Sequence, residues 1–286
     1  MAQASEIKKQ YKKRTLFQET WRRLTKNRGA MLGLAAALSP VIFNYEKDVI
    51  GQNMKDRLMG PCAAHWFGTD EYGRDLFARI VYGARYSLII GVGSVLLGLL
   101  VGTILGSQAG FKGGITDSII MRGIDIFYSI PNIMTAVVIV SLLGPSTVNL
   151  MIALAFSCAS SFARIVRASV MTIRDQEYVE SSYAMGLPTW KIIVKHILPN
   201  CLSPIIVQIT LLIGTTIISA SSLSFLGIGV PAPAPEWGAL LSAGRSHIRD
   251  ASYMCIIPGL AIMFTVLALN LLGDGLRDAL DPKLKK

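Results

Sequence analysis

A polar run, Glu177-Tyr-Val-Glu-Ser-Ser-Tyr-Ala-Met-Gly186, is followed by Leu187 to Lys195 and then by His196-Ile-Leu-Pro199. It lies between two long apolar segments, which makes it a folded loop displayed at a membrane surface. Its chemistry is contact with a partner. Glu180, Ser181 and Ser182 start a short helical run that Gly186 ends, because glycine is the usual residue just past a helix C-terminus. Pro188 blocks continuation, and a second run from Trp190 to Ile197 leads toward Leu198-Pro199. Two small side chains let a helix lie close against another surface, and an exposed carboxylate can pair with a cation there. The candidate docking residues are Glu177, Glu180, Ser181, Ser182, Tyr183, Ala184, Gly186, Trp190, Leu198 and Pro199.

Catalytic patterns are missing from the sequence. No G-x-x-x-x-G-K-[ST] phosphate loop occurs; Gly106 to Lys112 comes nearest and has the wrong spacing, so ATP hydrolysis is not expected here. No G-x-S-x-G nucleophile motif is present. His65, His196 and His247 are far apart, and Cys62, Cys158, Cys201 and Cys255 lack metal-like spacing, so no metal site and no disulfide framework are expected. Asp125 is the one acid well inside an apolar segment, with Arg122 three residues before it. An i,i+3 pair near the membrane surface accounts for it. The alternative is an ion-coupling site in a stand-alone secondary transporter or channel.

The elements that position these residues are membrane spans. The chain is 52% hydrophobic and 16% charged, with mean hydropathy +0.49; a soluble domain carries about 25% charge. Five runs read as spans: Tyr86–Phe111, Ile119–Leu143, Val148–Ile173, Pro204–Gly229 and Met254–Leu272. A sixth, Gly29–Phe43, is short, reaching about 22 Å against a hydrocarbon core of roughly 30 Å. The expected fold is an all-α membrane protein with six transmembrane helices. Residues 1–28 form a basic leader in which Phe17, Trp21 and Leu24 share one face of an interfacial helix, and residues 29–286 form the transmembrane domain, with its inner loop at 172–203.

Charge sets the orientation. With six spans both ends share one side, and 20 of the 28 lysines and arginines fall there, nine of them before Gly29. By the positive-inside rule both termini and the 172–203 loop are cytoplasmic. Eight acids balance the eight basic residues of the outer loops, so the net charge of +10 lies inside and reports topology; no nucleic-acid partner is implied. Gly98, Gly102, Gly106 and Gly110 repeat every four residues on one helix face, a pattern that lets helix backbones approach closely. Pro131 and Pro258 should kink their spans. Arg164 and Arg167 can extend to the headgroups. In the outer loop Gly229–Tyr253 the alternate prolines favour extended geometry, with Trp237 as an interfacial anchor.

Several segments together resemble the C-type inner-membrane permease subunit of the dipeptide/oligopeptide/nickel branch of ABC importers. They are His65-Trp-Phe-Gly-Thr-Asp-Glu-Tyr-Gly-Arg-Asp75, Tyr82-Gly-Ala-Arg-Tyr-Ser-Leu88, the 177–199 loop, Leu223-Ser-Phe-Leu-Gly-Ile-Gly229 and Leu272-Gly-Asp-Gly-Leu-Arg-Asp-Ala-Leu-Asp-Pro282. The likeness runs from about Trp21 to the C-terminus. It implies a type I importer permease in a bacterial or archaeal plasma membrane, with the 172–203 loop as a cytoplasmic coupling helix. It also implies a homologous second permease, two ATPase subunits that hold the ATP and Mg, and an extracytoplasmic solute-binding protein. Glu180 and Gly186 match the family's Glu-Ala-Ala…Gly loop, with Ser181 and Ser182 in place of its alanines. His196 stands where the wider superfamily has isoleucine. Ala220 occupies a place where this branch often has glutamate, and the first span is shorter than usual. The implied function is ATP-driven uptake of di- or oligopeptides, or a related small solute, by alternating access.

Overall fold

The computed structural model describes residues 39–280. The basic leader, most of the Gly29–Phe43 span and the last six residues lie outside the described residues; Ser39 to Ile42 are helical. The described chain is helical apart from loops, and its one β-bridge pairs Thr69 with Asp75. Among the described residues, four helices are long and apolar enough to cross a membrane, or five if one bent pair counts as a single span.

Helix α1, Leu76–Lys112, starts ten residues before the expected span. Asp75 caps it, accepting from the Phe77 and Ala78 amides at 2.7 and 3.3 Å. Just before the cap, Asp70, 2% exposed, takes the Arg74 guanidinium at 2.7 Å, and the same carboxylate holds Arg79 in the first turn of α1. At 1.5 Å per residue, α1 is about 55 Å long and projects beyond a bilayer core of roughly 30 Å.

The expected hairpin span Ile119–Leu143 is instead two helices, α2 (Gly114–Tyr128) and α3 (Asn132–Leu143), bent by 86°. Pro131 is the cause. It disfavours helical geometry at Ile130 and cannot donate an amide, so the kink becomes a break. By contrast, the helix containing Pro258 continues through it.

Helix α4, Thr147–Arg174, packs along α1. A Cβ built on Gly98, Gly102, Gly106 or Gly110 would lie 2.8, 2.5, 2.5 and 2.8 Å from the carbonyls of Ala155, Ala159, Ala163 and Arg167 in turn. Both helices thus keep a four-residue register, and the absent side chains are what permits backbone contact. Arg167 and Arg164 both pair with carboxylates of α2. Arg167 holds Asp117 on α2 through two bonds of 2.5 Å, and Arg164 bonds Asp125 at 2.8 Å while lying 4.2 Å over the Tyr128 ring. The partner of Asp125 is therefore Arg164 across the helix pair, where Arg122 had been expected.

After the loop that follows α4 come α6 (Leu202–Phe225), the short α7 (Trp237–Gly244) and α8 (Tyr253–Leu280). Trp237 is not an interfacial anchor. It is 2% exposed among Leu76, Ile80, Ala84 and Leu240, and its indole donates to Ile80 O at 2.9 Å. Glu236 caps α7, accepting from Ala239 N at 2.9 Å, and its other oxygen meets Ser87 and Ser221 at 3.3 and 3.4 Å. One buried carboxylate thereby joins α1, α6 and α7. Only 17% to 44% of the most apolar stretch of each long span is buried within this chain. The rest requires lipid or another subunit to cover it.

Candidate functional site: the loop between α4 and α6

The loop begins where α4 ends at Arg174, whose guanidinium bonds Gly110 O at 3.0 Å and Asp175 at 3.1 Å. Helix α5 then spans Glu177–Ala184, one turn earlier than the run expected from Glu180. Glu177 and Glu180 occupy its first turn, where carboxylates oppose the positive end of the helix dipole. Gly186 sits at φ +77°. Its amide donates to Tyr183 O at 2.9 Å, and the Leu187 amide donates to Ser182 O at 3.3 Å. These two bonds form the reversed closure that satisfies the last carbonyls of a helix, and it needs a left-handed residue at this position. The same pair of bonds ends α6, from Gly227 (φ +83°) to Ser224 O and from Ile228 to Leu223 O.

Pro188 then opens the short turn Thr189–Ile192, which passes through a wide turn at Ile193–Ile197 and a tight one at Leu198–Cys201 into α6. The expected second run is therefore present but irregular, with Pro199 in its last part.

The loop has an inward and an outward face. Val179 and Ser182 are 3% exposed, and Ile192 and Ile197 are fully buried. Val179, Ile192 and Ile197 share one apolar cluster with Val95 of α1, Phe162 and Val170 of α4 and Ile213 of α6. Displacing α5 must therefore displace the spans, since close-packed side chains transmit strain. Ser182 faces its own chain, its hydroxyl donating to Tyr178 O at 2.7 Å, and Ser181 does likewise to Glu177 O at 2.7 Å. Leu198 packs partly against the same cluster. Glu177, Glu180, Ser181, Tyr183, Ala184, Gly186, Trp190 and Pro199 are exposed.

Sequence reasoning named Tyr183 and Trp190 on this outward face and missed Tyr178, Met185 and Val194. Tyr178 is 45% exposed, Tyr183 66%, Met185 73%, Trp190 62% and Val194 57%. Aromatic residues and methionine at such exposure are typical of interface centres, and their clustering in a short polar loop was the available signal. Beside them a cleft of about 710 Å³ is lined by Phe111, Lys112, Arg174, Glu180 and Tyr183, among others. Among the described residues, no group of three or more His, Cys, Asp or Glu side chains is arranged to hold a metal ion. The geometry offers a docking surface mechanically tied to membrane spans.

A bundle of apolar helices that displays a loop between two spans defines a multi-span membrane protein. The chain belongs to the family described as "Binding-protein-dependent transport system inner membrane component", whose model matches residues 83–286. It is 45% identical over 282 residues to the dipeptide transport system permease protein DppC of Alkalihalophilus pseudofirmus, an alignment covering 96% of this chain and 93% of that protein. It is 44% identical over 279 residues to the glutathione transport system permease protein GsiD of Pectobacterium atrosepticum, covering 95% and 93%. The DppC of Bacillus subtilis is 42% identical over 278 residues, covering 94% and 86%. Among solved structures, an inward-facing form of the MetNI methionine ABC transporter aligns with TM-score 0.58 and 20% identity, covering 71% of this chain and 96% of that one. That likeness establishes a shared fold.

Proposed function

We propose that this chain is one of two permease subunits in an ATP-driven importer that brings di- or oligopeptides, or a related small solute such as glutathione, into the cytoplasm. The observation that carries this reading is α5: its outward face is free for a partner, and its inward face is packed into the same core as the spans. The names of the dipeptide and glutathione relatives support the solute class. Two separate ATPases would supply ATP and Mg and dock on Glu177, Glu180, Tyr183, Met185 and Trp190. A homologous permease would cover the remaining apolar faces, and an extracytoplasmic binding protein would deliver solute to the outer loops. Both termini and the 172–203 loop would be cytoplasmic. ATP binding would draw the two ATPases together, move α5 in each permease and rock the spans; hydrolysis would reset them. This chain contributes a lever and half a path, with no catalytic residue.

A stand-alone ion-coupled transporter built on Asp125 is less well supported. Its carboxylate is already engaged by Arg164 at 2.8 Å. Co-purification tests the preferred reading. Wild-type chain should carry both ATPases through purification, and Glu180→Lys should lose them or lose solute-stimulated hydrolysis. Full association and uptake in Glu180→Lys would remove the coupling role of this loop.

A further inference from the structure

At membrane depth, α3, α4 and α6 enclose a cavity of about 100 Å³ that no charged residue lines. Its polar groups are Asn132 at the start of α3, Ser157 and Ser161 on α4, and Thr215, Thr216 and Ser219 on α6. Hydroxyls in a bilayer usually serve as bonds between helices. Most of these do not. The one cross-helix contact here is Thr216 to Cys158 Sγ, at 3.5 Å. Thr215 and Ser219 donate back to their own helix, to Leu212 O at 3.1 Å and Thr215 O at 3.0 Å, which leaves their lone pairs free to accept. Ser157, Ser161 and the Asn132 amide have no hydrogen-bond partner among the described residues. Thr215 is exposed and Ser219 half-buried, so the hydroxyl row continues onto the surface of α6, away from this chain's own core.

We propose that this hydroxyl-lined cavity is this chain's half of the solute path, and that it recognises a neutral or zwitterionic amide-bearing solute by hydrogen bonding, without charge pairing. The proposal rests on the importer reading above. Solute N–H groups would be accepted by Thr215 and Ser219, and solute carbonyl or carboxylate oxygens would take the free O–H groups of Ser157 and Ser161. At about 100 Å³ this chain's cavity is a part of such a path, and the second permease of the importer reading would supply the facing wall. A wall of short hydroxyls would discriminate the peptide backbone while tolerating varied side chains.

The test uses the complete importer in vesicles, with both permeases, ATPases and binding protein, and a labelled dipeptide as the probe. Ser157→Ala/Ser161→Ala should reduce uptake about tenfold, since two hydrogen bonds to solute are lost. Ser157→Thr, which keeps the hydroxyl, should remain within about twofold of wild type by the same measure. ATPase association should be unchanged in both. Ser161→Cys should react with a small aqueous thiol reagent, faster than the buried Cys158, and added dipeptide should slow it. Wild-type uptake by the double alanine variant, or an unreactive Ser161→Cys in an assembled complex, would overturn the proposal while leaving the importer reading intact. Absence of ATP-driven dipeptide uptake in the wild-type complex would remove the importer reading and this proposal with it.

Discussion

Gly186 isolates the proposed docking helix α5 from everything else. Its φ of +77° closes α5, and a Cβ added there would meet nothing within 4 Å. Packing therefore cancels from the comparison, and the effect of a substitution is the backbone cost alone. An L-residue in the left-handed region costs about 1–2 kcal/mol, and a β-branched one more. Asparagine tolerates the region and serves as a natural alternative in this position. Since 1.4 kcal/mol is tenfold in an equilibrium, Gly186→Ala should relax the free loop away from this closure, and restoring it on docking should weaken ATPase binding by up to about thirtyfold. Gly186→Val should weaken it by at least about tenfold, and Gly186→Asn by about threefold or less. The assay is titration of the purified ATPases against the permease pair in detergent. Membrane insertion should be the same in all three variants, because no span is touched. Equal docking by Asn, Ala and Val variants would show that the left-handed closure does not shape the docking surface. Loss of insertion in all three would show that the defect is not local.

Other outcomes follow from the packing. Gly102→Leu places a Cβ 2.5 Å from Ala159 O, about 1 Å inside ordinary contact, and should cost about 1–3 kcal/mol or force α1 from α4; Gly123→Ala on α2, with nothing within 4 Å, should leave thermal stability in detergent unchanged or raised. Asp70→Ala strands the buried Arg74 and Arg79 and should destabilise the capped start of α1 by roughly 3–5 kcal/mol, read as early proteolysis of the loop that precedes it. Asp125→Asn breaks a half-exposed pair with Arg164 and should leave uptake fully dependent on ATP; a selective loss of proton dependence would favour the secondary-transporter reading.

Features set by local spacing were readable in the sequence. The four-residue glycine repeat demands a close helix neighbour, and α4 is that neighbour. Gly186 followed by Pro188 demands a helix end, and α5 ends there. Features set by distant partners were not readable. Arg79 marks a polar loop until Asp70 supplies it a carboxylate, and α1 begins earlier than its apolar run. Trp237 reads as a surface anchor until Ile80, 157 positions away, accepts its indole N–H. Asp125 finds its cation 39 positions away on α4. A proline inside an apolar run is compatible with either a kink or a break; at Pro131 the chain breaks by 86°, while at Pro258 the helix continues. The face of α5 was visible as small and acidic residues, but the burial of Val179 and Ser182 depends on the core formed by α4 and α6.

The most direct test is dipeptide uptake into vesicles holding this chain with its second permease, with and without the ATPases, and under an imposed ion gradient. Uptake should require the ATPases and ATP, be insensitive to the gradient, and fall to background in Glu180→Lys. Gradient-driven uptake without ATPases, or wild-type uptake in Glu180→Lys, would contradict a lever worked through α5.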